Sequence, residues 1–67
     1  MSNDIMNLLE SGYRLHQAGR TDLAEKKYLE VLKQDRRNIH ALNLLGMLCV
    51  NEFRPDEAVF FISKALK

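Results

Sequence analysis

Two stretches decide the fold when one is written beneath the other: residues 5–33, IMNLLESGYRLHQAGRTDLAEKKYLEVLK, and residues 39–67, IHALNLLGMLCVNEFRPDEAVFFISKALK. At this offset of 34 residues, Ile5/Ile39, Leu8/Leu42, Gly12/Gly46, Arg20/Arg54, Asp22/Asp56, Ala24/Ala58, Leu32/Leu66 and Lys33/Lys67 are identical. Eight identities in 29 aligned positions compare with about two for unrelated sequences of ordinary composition. The chain is a tandem repeat in one domain, 1–67, with copies at about 5–38 and about 39–67.

Each copy reads as two helices. In the first, Ile5, Leu8, Leu9, Gly12 and Leu15 recur at steps of three and four, the spacing of one helix face. Ser2 or Asn3 can cap it. In the turn AGRTD, Gly19 can take a positive φ and Thr21 can cap the next helix. Leu23, Ala24, Tyr28, Val31 and Leu32 then form a stripe opposite Glu25, Lys26, Lys27 and Glu30.

In the second copy, QDRRN breaks the period and Asn38 can cap IHALNLLGMLCVNEF. That segment is apolar on nearly every side, so neighbours must cover it on more than one face. Pro55 suits the first turn of a last helix, where Asp56 and Glu57 complement the dipole. The spacing predicts helices near 3–18, 22–34, 39–52 and 55–67, and no alternating pattern supports a strand. The predicted fold class is therefore all-α, two stacked antiparallel helix-turn-helix hairpins. Gly12 and Gly46 fall inside helices, where glycine costs about 1 kcal/mol relative to alanine. A facing helix backbone in close approach would explain them, with Ala24 and Ala58 as its small partners.

Composition excludes several functions. Ten Lys and Arg against nine Asp and Glu leave a net charge of +1, which supplies no drive toward nucleic acid or an anionic membrane. Cys49 is the only cysteine, so no internal disulfide can form, and a reducing cytoplasm is the expected location. The N-terminus lacks the pattern of a signal peptide, and ALNLLGMLCV is about half the ~20 residues of a membrane span. His16 and His40 lie on different helices without a carboxylate at ligand spacing, so neither a metal nor a cofactor is expected. Cys49, in an apolar run, reads as an inert core thiol. Ser11 has no nucleophile elbow, and no two carboxylates are specified as acid and base. No enzyme activity is expected from these residues alone. The clusters DRRN and EKK are too small for a phosphate-binding patch.

A 34-residue unit with these small residues resembles the tetratricopeptide repeat, whose pattern is W-x2-L-G-x2-Y, then A-x3-F, then P. Leu8, Ser11, Gly12 and Leu15, then Ala24 and Tyr28, stand at those positions in the first copy; Leu42, Leu45, Gly46 and Cys49, then Ala58 and Ile62, do so in the second. Ser11 replaces a leucine, Arg36 stands where the proline belongs, tryptophan is absent, and Phe53 occupies the turn position that usually holds glycine. The resemblance implies a fragment of an α-solenoid whose concave face, lined by the first helix of each repeat, binds an extended or helical peptide. Carried over position by position, that lining is Met6, Leu9, Tyr13, His16 and Gln17, then His40, Asn43, Met47, Val50 and Asn51. Leu9, Met47 and Val50 could equally be core. With no Lys or Arg among the ten, the clamp that grips an acidic C-terminus is not present.

The expected function is a non-catalytic interaction module or scaffold with a protein or peptide partner. The alternative is an N-terminal recruiting segment of a longer enzyme, because HQAGRTDLAEKKYLEVLKQD and ALNLLGML resemble the repeats preceding catalytic domains in some bacterial glycosyltransferases. A second expectation comes from the repeat alignment, in which Glu25, Lys26 and Lys27 become Val59, Phe60 and Phe61. Three charges become three large apolar groups, next to Ile62. A stacked array normally ends in a polar capping helix. This last helix is the opposite, so either a further repeat follows in a longer protein or, for a lone chain ending at Lys67, self-association as a homo-oligomer through Val59, Phe60, Phe61 and Ile62 is expected.

Overall fold

The computed structural model describes residues 2–66, and side chains from Asp4 to Leu66. Four helices follow one another: α1 (Ser2–Gln17), α2 (Thr21–Gln34), α3 (Ile39–Asn51) and α4 (Pro55–Leu66). α1 pairs with α2 and α3 with α4, and α3 also packs against α2 and α1. The second hairpin thus stacks on the first through α3, the helix whose sequence is apolar all round. The Cα atoms fill a slab of 32 × 30 × 13 Å. So thin a body has little interior, and its buried cluster sits at the junction of the hairpins. Ala24 and Tyr28 of α2 meet Leu45 and Leu48 of α3 there, all fully buried, with Leu9, Leu15, Leu32, Leu44 and Phe61 packed around them. Burying each large apolar side chain is worth about 1.5–3 kcal/mol.

The two copies share their turn down to single hydrogen bonds. After α1, Ala18 N–H donates to Arg14 (3.0 Å), Gly19 N–H to His16 (3.0 Å) and Arg20 N–H to Leu15 (2.8 Å). After α3, at the same offset of 34, Glu52 N–H donates to Leu48 (3.0 Å), Phe53 N–H to Val50 (3.1 Å) and Arg54 N–H to Cys49 (2.8 Å). This is the Schellman ending, which needs a left-handed residue just past the helix. Gly19 supplies it at φ 82° and Phe53 at φ 58°. Glycine is conformationally free to do so, whereas Phe53 carries a Cβ penalty.

Several local expectations are corrected. Thr21 does not cap α2; Arg20 stands at the cap position without a side-chain bond, and the Thr21 hydroxyl instead donates to Glu52 Oε1 at 3.0 Å. Asn38 does cap α3, its Oδ1 accepting from Ala41 N–H at 2.9 Å. The possible caps Ser2 and Asn3 lie outside the described side chains, and Lys67 lies outside the described residues. Leu23 is exposed rather than part of the buried stripe; it reaches the outer crevice between α1 and α2, beside Leu8 and Leu29.

The mid-helix glycines are explained differently as well. A Cβ on Gly12 would lie 2.5 Å from Cε1 of the Tyr28 ring, and one on Gly46 would lie 2.6 Å from Ile62 Cγ1. Side chains fill these gaps, not a closely crossing backbone; the nearest backbone atom at Gly46, the Ala58 carbonyl oxygen, is in ordinary contact at 3.7 Å. Tyr28 and Ile62 are equivalent residues of the repeat, so each glycine makes room for the same knob.

Candidate functional site

The face shared by α1 and α3 is built by the burial pattern of α3. Ala41, Leu42, Leu45, Gly46, Leu48 and Cys49 turn inward. His40, Asn43, Met47, Val50 and Asn51 are left exposed along the opposite side, at steps of three and four residues. These are the five positions that the resemblance marks on this helix. On α1, Met6, Tyr13 and Gln17 are exposed and His16 is half-buried, whereas Leu9 packs against the core cluster and belongs to it.

One hydrogen bond ties the two strips together. Asn51 Nδ2 and His16 Nε2 lie within hydrogen-bond distance at 3.0 Å, linking the ends of α1 and α3. Beside it, the face offers apolar groups (Met6, Tyr13, Met47, Val50) interleaved with amides (Gln17, Asn43, Asn51), and no cation. Such a surface can take apolar side chains and hydrogen-bond a peptide backbone. It offers no charge with which to select an acid or a base.

Three polar contacts that the sequence did not reveal lie below this face, and two of them, Arg54 with Glu25 and Thr21 with Glu52, tie the hairpins together. Arg54 Nη2 meets Glu25 Oε1 at 3.0 Å, Arg54 Nη1 meets Glu57 Oε2 at 3.3 Å, and Thr21 meets Glu52 as above. The paired carboxylates hold the Arg54 guanidinium above its usual value, the hydrogen bond to Glu25 being the main cause. The identity Arg20/Arg54 was the only available signal, and it could not name Glu25 as a partner. Burial raises the Cys49 thiol above its usual value although Arg54 pulls the other way, so the thiol stays protonated at neutral pH. No group of three or more metal-ligating side chains occurs among the described residues.

The four residues marked for self-association divide. Phe61 packs inward against the core cluster, its ring edge-to-face with Phe60 at 5.4 Å. Val59 and Phe60 stand exposed, and Ile62 is partly so, with one side on Gly46. Val50 and Phe53 add a further apolar corner at the turn, next to Arg54 and Pro55. Among the described residues, no helix is long and apolar enough to cross a membrane. Compared with protein-family models, curated proteins and solved structures, the chain gives no match in any of the three.

Proposed function

We propose that the chain is a pair of tetratricopeptide repeats acting as a non-catalytic interaction module, which binds a peptide segment of a protein partner across the face shared by α1 and α3. The observation that carries this reading is the uninterrupted exposed strip of His40, Asn43, Met47, Val50 and Asn51 beside Tyr13, where apolar and amide groups alternate without charge. A docked peptide covers Tyr13 and Met47 and hydrogen-bonds Asn43 and Asn51. Two repeats offer a short groove, so binding is weak for a single copy. A reducing cytoplasm suits the lone thiol, and self-association through α4 belongs to the same reading.

Selection of peptides from a displayed library against the folded chain tests it. Selected peptides lose about tenfold in affinity with Tyr13→Ala and with Asn43→Ala, the equivalent of one contact worth ~1.4 kcal/mol. Peptides indifferent to both substitutions would place the binding surface elsewhere.

A further inference from the structure

The repeat equivalence measures what the outer side of α4 lacks. Where α3 packs on α2, Ala24, Tyr28 and Val31 are fully buried. At the same repeat positions on α4, Ala58 is buried and Ala65 half-buried, but Ile62 is 39 % exposed, and Leu66, the counterpart of half-buried Leu32, is 83 % exposed. Val59, 64 % exposed, continues this side, whereas Phe60, 57 % exposed, lies about 160° around the helix from Ile62, between Asp56 and Lys64.

A second copy stacked head to tail would repeat the internal contact, setting α1 of one molecule on α4 of the next. On α3, Leu45 and Leu48 make that contact with Ala24 and Tyr28, all buried. Their counterparts on α1 are Ser11 and Arg14. Both are polar, and Arg14 is already held by Glu10 at 2.9 Å on the surface. Pressing a hydroxyl and a guanidinium onto the apolar side of α4 strips them of water without giving them partners. Open-ended stacking is disfavoured at these two positions.

α4 itself is self-complementary. Asp56, Phe60 and Lys64 follow at steps of four residues along one side, each about 6 Å further along the axis. Arg54 holds Glu57 but not Asp56, which makes no ion pair among the described residues. Lys64 likewise pairs with no carboxylate among them, and its ammonium rests over the Phe60 ring, 5.3 Å from the centroid. An antiparallel pairing of two α4 helices with Phe60 at the axis sets Asp56 of each copy against Lys64 of the other, twice. Ser63, small and exposed beside Phe60, lets the helices approach.

We propose that a second copy of this chain covers the Phe60 side of α4, forming an isologous antiparallel dimer with Phe60 against Phe60 and Asp56 against Lys64. The proposal rests on the self-association reading above and is independent of the peptide face. An isologous contact uses the same patch on both copies and closes on itself, so assembly through it stops at two.

Sedimentation equilibrium on the chain at micromolar concentrations tests it, with circular dichroism to establish that each variant is folded. A dimer mass that does not grow with concentration is expected. Asp56→Lys alone and Lys64→Asp alone each weaken the dimer about tenfold, because both symmetric pairs become repulsive. An equimolar mixture of the two variants regains the parent affinity, since two basic positions then meet two acidic ones. Phe60→Lys gives a monomer. A folded parent that is monomeric throughout hands the face to another occupant, a following helix or a different protein, and overturns the dimer. So do masses that grow without limit, single exchanges without effect, or a mixture that fails to restore pairing. None of these outcomes touches the tests at Tyr13 and Asn43, so the two readings fail separately.

Discussion

Tyr28 fills the centre of the core, fully buried, and its hydroxyl has no hydrogen-bond partner among the described residues. A buried hydroxyl without a partner costs about 1–3 kcal/mol. Tyr28→Phe therefore raises stability by about 1 kcal/mol, an upward shift of about 4–8 °C in Tm for a domain of this size. Burial, reinforced by nearby Tyr13, raises the Tyr28 phenol above its usual 10.0, and burial raises the Cys49 thiol above its usual 9.0. Above each usual value the native chain keeps a proton that the unfolded chain releases, so stability is full below 9.0 and declines as pH rises through and beyond 10.0. Denaturant titrations stepped upward from neutral pH check this. In Tyr28→Phe the part of the decline that begins near 10.0 disappears, and the part due to Cys49 remains. Phe53 is the other strained residue, left-handed at φ 58° and 91 % exposed. Phe53→Gly relieves a cost of about 1–2 kcal/mol and adds about 0.5–1 kcal/mol of chain entropy, so thermal melts should show a net gain of about 0.5–1 kcal/mol.

At the scale of elements, the two hairpins are the same device with different tolerances. A methyl at Gly12 meets the ring of Tyr28, which is enclosed on every side. A methyl at Gly46 meets Ile62, whose side chain is partly exposed and can turn away. Gly12→Ala is expected to cost about 1–3 kcal/mol through overpacking, more than the helix propensity it recovers. Gly46→Ala comes out near neutral, and the larger Gly46→Leu is again destabilising by a few kcal/mol. Equilibrium unfolding of the three variants side by side measures the difference; equal costs at the two alanine sites would mean that the knobs are equally confined. Capping is unequal too. Asn38→Ala costs about 1 kcal/mol because Ala41 N–H loses its acceptor. Thr21→Ala leaves the start of α2 unchanged and removes only an exposed bond to Glu52.

For the whole molecule, the junction of α2 and α3 makes the hairpins one folding unit. Leu45 and Leu48 belong to the second hairpin and are buried against Ala24 and Tyr28 of the first. Leu45→Ala is expected to cost about 2–5 kcal/mol and to lower the melting of both hairpins together. Circular dichroism and tyrosine absorbance, which senses Tyr13 and Tyr28 in the first hairpin only, check this. Coincident transitions are the expected result; two separate ones would show that the hairpins fold independently.

The sequence by itself determined the four helices, their pairing into hairpins and the central place of α3, because helical periodicity and a 34-residue repeat are properties of residue order. It marked the strip of α3 only through the resemblance, and left Met47 and Val50 open between core and water. Tertiary structure alone decided the rest. The bond between His16 and Asn51 and the pairing of Arg54 with Glu25 join residues 35 and 29 positions apart, a relation that local pattern cannot encode. Leu9 and Met47 were alike to the sequence, apolar and correctly spaced on a first helix; only the packing sent Leu9 to the core and left Met47 in water. The same holds for Phe60 and Phe61. They are adjacent and chemically identical, yet about 100° apart on the helix, so one meets the core of this molecule and the other faces away from it.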